Sequence, residues 1–182
     1  MKTPLYVPHA DCVNVSAISA RFSADRRHRY SLTIPFLGRE TGVSLIVVGQ
    51  NPSQADQCVA DKTINYLEKF VFRNLPKYDQ IIMLNLFTRM DKKKIEKDIL
   101  DEYSNAHFES MITPNSDVLL VFGKLKNERA YTFRERAKDV RGVLSKNRLY
   151  KLAIGTEYAP HPGNPKITYS KLDIGIDEFK FC

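Results

Sequence analysis

Four short apolar runs constrain this chain more than anything else in it: Val43–Val48, Ile81–Leu86, Val118–Phe122 and Leu149–Ile154. Each is rich in β-branched residues or leucine, and none alternates strictly with polar residues. A strand buried on both faces requires such a run. Longer segments of mixed character separate them. Asp61 is a candidate N-cap for a helix over Lys62–Asn74, where Ile64, Leu67, Glu68 and Val71 stand three or four apart. A second helix is expected over Lys92–Met111, after Asp91 and before Thr113-Pro114. A third is expected from Lys124 to about Asn147, with a candidate break at Gly142. Strand and helix repeated in this order predict an α/β fold with three layers (α/β/α) around a central, mainly parallel four-stranded sheet.

The first 40 residues read differently. Tyr30, Leu32, Ile34 and Phe36 alternate with Ser31, Thr33 and Pro35, which predicts an N-terminal β extension beside the sheet, and Ala24–Arg29 before it is charged and turn-like. No repeat, low-complexity stretch or linker interrupts the chain, so residues 1–182 are read as one domain. No apolar run approaches the roughly 20 residues that span a bilayer, and the amino terminus lacks the apolar stretch of a secretory signal. These features predict a cytoplasmic protein with no membrane partner; a monomer is favoured. Cys12, Cys58 and Cys182 are scattered and odd in number, which suits a reducing compartment. They cannot supply the four thiolates of an iron–sulfur cluster. No metal and no cofactor is expected, and there is neither a Walker loop nor a dinucleotide fingerprint.

The charge is unevenly placed. The chain carries +7 overall, and the segment Lys124–Lys151 accounts for all of it, with ten Lys/Arg against Glu128, Glu135 and Asp139. Such a localised excess suits a surface that faces a polyanion, with Arg134, Arg136, Arg141 and, further on, Lys166 as candidate nucleic-acid contacts. A solvated helix face reads the same way.

In a parallel α/β sheet, ligands bind beyond the carboxyl ends of the strands. The first run is followed by Gly49-Gln50-Asn51-Pro52-Ser53, the second contains Asn85 near its end, the third is followed by Gly123-Lys124, and the fourth by Pro160-His161-Pro162-Gly163-Asn164-Pro165. Two amides, an imidazole and a set of stiff Gly/Pro turns therefore converge on one edge. These ordered motifs resemble the uracil-DNA-glycosylase-like superfamily. Gly49-Gln50-Asn51-Pro52 is similar to its loop after the first strand, Asn85 to its base-reading asparagine, and His161-Pro162-Gly163-Asn164-Pro165 to its late histidine–proline loop. Arg29-Tyr30, Asn51-Pro52-Ser53-x-Ala55-Asp56 and Asp61-x-Thr63 resemble still more closely a functionally uncharacterised bacterial and phage family within that superfamily.

The resemblance implies hydrolysis of the N-glycosidic bond to a uracil-like or modified base in DNA. Asn51 and His161 would be the catalytic pair. His161 would donate to the oxygen of the departing base. Asn51 would orient a water, because an amide cannot deprotonate one at neutral pH. Gly49, Gln50, Asn85 and Phe87 would bind the base, with the planar amide of Asn85 offering one donor and one acceptor to its edge. Phe70 and Phe72 are further candidates to stack on the ring. Where the most active glycosylases carry an aspartate this chain has Asn51, and Gly163-Asn164-Pro165-Lys166 stands where a bulky apolar wedge is expected, with Ile167 as a substitute. Bland readings stand beside these. Asn51 also suits a helix cap, His161 a surface turn, Asn85 a buried structural bridge, and Asp56 and Asp61 either helix caps or groups acting on water. Two other functions fit the same residues: a module that binds a base, nucleotide or DNA without cleavage, and an enzyme acting on free nucleosides or nucleotides.

Overall fold

The computed structural model describes residues 6–90, 99–124, 130–170 and 172–181, the side chains of 130–134 excepted. Seven strands and four helices succeed one another as β1 (Ser19–Phe22), β2 (Arg29–Pro35), β3 (Ser44–Gly49), α1 (Lys62–Asn74), β4 (Gln80–Asn85), α2 (Ser104–Met111), β5 (Asp117–Leu120), α3 (Ala130–Leu144), β6 (Arg148–Leu152), α4 (Pro165–Ser170) and β7 (Ile176–Glu178). All strands join one sheet in the order β1-β2-β4-β3-β5-β6-β7. The four apolar runs form β3, β4, β5 and β6, which pair in parallel. Alternate residues of β3 show why these runs lack polar positions. Leu45 and Val47 enter one core with Ile64, Leu67, Phe70 and Val71 of α1 and Ile167 of α4. Ile46 and Val48 enter a second core with Phe108 and Ile112 beside α2 and Val140 and Leu144 of α3. Helices therefore cover both faces, and neither face of the central strands meets water.

The four-stranded sheet expected from the sequence is corrected to a mixed sheet of seven. The N-terminal segment is part of it, because β2 runs antiparallel to β4 and β1 antiparallel to β2. An unpaired edge on β4 would leave a row of backbone donors and acceptors open, and the hairpin closes it. On the far side β7 adds antiparallel to β6. Its three residues are half-buried or exposed, so no apolar pattern announces it.

The first helix starts and stops as expected, with the Asp61 carboxylate accepting from the Ile64 amide at 2.8 Å. The second is shorter than expected. Residues 91–98 lie outside the described residues, and Asp101 closes a turn before Ser104, its carboxylate accepting from the Tyr103 amide and the Tyr30 hydroxyl. The third runs Ala130–Leu144 without a break at Gly142; residues 125–129 lie outside the described set. No helix among the described residues is long and apolar enough to cross a membrane.

The order in which strands are added reverses at β3, which has β4 on one side and β5 on the other, both parallel to it. The carboxyl end of such a strand opens into a crevice between diverging loops. The candidate site lies there.

Candidate functional site

A cavity of ≈150 Å³ occupies this crevice. Gly49, Gln50, Asn51 and Ser53 come from the loop after β3, Met83 and Asn85 from the end of β4, and Val121 from just after β5. Asp61, Thr63 and Ile64 come from the start of α1, His161 from the loop after β6, and Arg29 from the start of β2. Asn51, Asn85 and His161, more than a hundred residues apart at the extremes, thus line one space. The size matters. A volume of about 150 Å³ is enough for one benzene-sized ring.

Asn85 lies on the floor, 2% exposed. Neither its Nδ2 nor its Oδ1 has a hydrogen-bond partner. Its neighbour across the ladder is Gly49, and a Cβ there would stand 2.9 Å from Asn85 Oδ1 and 2.8 Å from Met83 Cε. Glycine at 49 is what leaves the amide its place. Both backbones remain paired beyond this point, Leu86 N–H to Gly49 O and Phe87 N–H to Gln50 O at 2.9 and 3.0 Å, so strand geometry holds the side chain fixed. The amide bridges no protein group, so a direct structural bridge is not the reason for Asn85. A buried polar group without a partner costs about 1–3 kcal/mol.

His161 stands at the mouth, exposed on one side and crowded on the other. Its Nδ1 accepts a hydrogen bond from the Gly163 amide at 2.9 Å, so a neutral ring carries its hydrogen on Nε2. Burial lowers the imidazole pKa below its ordinary value, and Asp61 opposes that shift. The net effect favours the neutral ring at pH 7, a fixed N–H donor. Gly123 permits the approach of this loop to the end of β5. It adopts φ +83°, and a Cβ there would lie 3.3 Å from His161 Cβ.

Asn51 is exposed at the rim and caps no helix, because α1 begins at Lys62 and Asp61 caps it. Asp61 is a helix cap, one oxygen holding the helix start, and its carboxylate is the one acid lining the cavity among the described residues. Asp56 instead closes a turn, accepting from the amides of Cys58 and Val59.

Arg29 is the residue that sequence reasoning missed as a site residue. It is 1% exposed. Strand alternation hides it. Ser31 pairs with Arg21 but Arg29 pairs with Phe22, so Tyr30 is an extra residue, a β-bulge. Tyr30 and Ser31 consequently both turn toward His107 of α2, the ring 5.5 Å away and the hydroxyl hydrogen-bonded. Arg29 is re-aimed to the other face, into the cavity. The sole local clue was an Arg-Tyr pair heading an apolar strand.

Several expected contacts do not hold. Phe87 does not line the cavity; it packs in the core on the opposite face of the sheet with Ile46 and Val48. Phe70 is likewise core, stacked on Tyr66, and Phe72 packs on Phe36. Among the described residues no Phe, Tyr or Trp lines the cavity, whose apolar walls are Ile64, Met83 and Val121. Arg136 is not a surface contact either. It is buried, with Nε donating to Leu86 O and Nη1 to Asn105 Oδ1, both at 2.7 Å. Arg141 is exposed but lies over Phe181 in a groove shared with Arg148. Arg148 opens β6, so that groove lies at the amino edge of the parallel strands, away from the cavity. Lys166 is exposed in the first turn of α4, which Asn164 caps. The Arg134 side chain lies outside the described residues.

A family model, described as a protein of unknown function (DUF1643), matches residues 29–165. The chain belongs to that family. The matched span opens at Arg29 and closes just after the His161 loop, so it contains every residue that lines the cavity. No curated protein and no solved structure matches the chain. The family match names no substrate and makes no link to the uracil-DNA glycosylases that the motifs resemble.

Proposed function

We propose that this DUF1643 chain is a uracil-DNA-glycosylase-like hydrolase that recognises a single-ring base in the cavity and cleaves its N-glycosidic bond. The observation that carries this reading is Asn85: a buried planar amide, both atoms unpaired, on the floor of a cavity one ring wide. An imide or amidine edge offers the complementary donor and acceptor. In the reaction the C1′–N bond breaks with its electron pair on the base, and a water oxygen adds to C1′. The neutral His161, its hydrogen on Nε2, stabilises charge developing on the base oxygen. Asn51 at the rim orients the water, and Asp61, the one carboxylate in the lining among the described residues, accepts its proton.

DNA is the expected carrier of the base. A second reading, an enzyme acting on free nucleosides or nucleotides, is favoured by one finding: Arg136 is buried and Arg141 lies at the opposite edge of the sheet, so neither brings charge to the mouth. The test is base release from single- and double-stranded DNA carrying uracil or other altered pyrimidines, beside the free nucleosides. Release is expected, with losses of about 10²-fold or more in Asn51→Ala and His161→Ala. No release from any of them refutes the enzyme.

A further inference from the structure

Each of the other buried charged side chains among the described residues has a partner of opposite charge or at least two hydrogen bonds. Glu68 holds His9 at 2.5 Å. Asp117 holds Lys77 and Arg148 at 2.8 and 2.5 Å. Arg136 donates through both Nε and Nη1. Arg29 breaks the pattern. Its guanidinium donates to one neutral acceptor, Ala55 O at 2.6 Å, and its Nε has no partner. Asp61 and Asp56 act on it only through space, against a burial that pulls its pKa down to about 10. It therefore stays charged at neutral pH. An uncompensated buried charge is strongly unfavourable unless something completes it.

We propose that what completes it is the ligand, and that the ring held on Asn85 carries a negative charge which Arg29 binds. The proposal rests on the base-recognition reading above and names its substrate class: a planar six-membered ring with an anionic substituent, a carboxylate or an ionised ring oxygen. Three observations converge on it. Arg29 and Asn85 line the same cavity. The volume is enough for one planar ring at Asn85. The bulge at Tyr30 turns a cation inward at a position where strand alternation would have turned it away. Inorganic phosphate satisfies Arg29 but not the pair, since its tetrahedral oxygens do not present the planar, adjacent donor and acceptor that match the Asn85 amide. The ring supplies both. Guanidinium suits the task, because its planar fork matches a carboxylate with two parallel hydrogen bonds.

The test is calorimetric titration of the full chain with matched rings: uracil bearing a methyl at C5 or C6, against uracil bearing a carboxylate at the same carbon, and inorganic phosphate alone. At least one carboxylated ring is expected to bind about tenfold or more tighter than its methylated twin, as a charge-assisted hydrogen bond in a buried site implies. Arg29→Gln is expected to erase that ratio while still binding the methylated ring, and Arg29→Lys to keep part of it. Asn85→Ala is expected to weaken both rings alike. Equal affinity of the wild-type chain for charged and methylated twins at both positions overturns the Arg29 proposal and leaves the base pocket standing, and this comparison holds even if Arg29→Gln does not fold. Phosphate binding as tightly as the charged ring overturns the ring requirement. Binding of no ring at all overturns the pocket reading together with the proposal.

Discussion

Replacing Asn85 with leucine removes two buried polar atoms while keeping a side chain of similar size. Each of those atoms stands unpaired, at about 1–3 kcal/mol per group. Leucine leaves none, and it adds apolar contact with Met83 and Ile64, which line the same cavity. The fold is expected to gain about 2 kcal/mol or more. In a chain of this length each kcal/mol moves the melting temperature by about 2–4 °C, so the midpoint should rise by about 4–8 °C in scanning calorimetry. The same substitution should abolish ring binding. A gain in stability joined to a loss of binding is the mark of a group kept frustrated for a ligand. A structural bridge behaves oppositely, since deleting it leaves its partners unsatisfied and lowers the midpoint. An unchanged or lower midpoint in Asn85→Leu refutes the reasoning.

Three further outcomes follow from other parts of the molecule. His9→Ala strands the Glu68 carboxylate in the core, with the Ala10 amide as its remaining partner, and should cost about 3–5 kcal/mol in urea unfolding. Burial alone would lower the His9 pKa, but Glu68 overrides it and raises the pKa above 6.5; the stabilisation is complete below 6.5 and fades as pH rises through the raised value. Arg136→Met should cost about 1–3 kcal/mol by orphaning the buried Leu86 O, the exposed Asn105 turning to water, and leave the salt dependence of any DNA binding unchanged; a flattened slope would return Arg136 to the nucleic-acid surface. His161, whose pKa burial lowers, should keep base release intact as pH falls below 6.5 until the depressed value is passed, and His161→Gln should flatten that acid limb.

The sequence alone determined the parts of this protein that depend on local pattern. Apolar runs without alternation locate β3 to β6, because a strand covered on both faces has no position left for a polar side chain. Asp61 marks the start of α1, because its carboxylate satisfies an amide that no other group can reach. Asn51, Asn85 and His161 could be gathered at one edge before any coordinates, since chain order in a parallel sheet dictates which loops share the carboxyl side. Pattern fails where a residue's fate is decided by a neighbour distant in the chain. β7 is short and half-exposed, and pairs because β6 has a free edge. Phe87 and Phe70 had the right chemistry for a stacking ring, yet the chain leaves the pleat after Asn85 and takes Leu86 and Phe87 together into one core, and the helix carries Phe70 into the other. Arg136 reads as one more cation on a basic helix, and only its meeting with Leu86 O and Asn105 makes it structural. Arg29 is the sharpest case. Alternation from Leu32 and Ile34 assigns it to the face of Ser31, and one extra residue at Tyr30, visible only in the pairing with β1, turns it into the cavity. A bulge is a relation between two strands, so no single strand's sequence carries it.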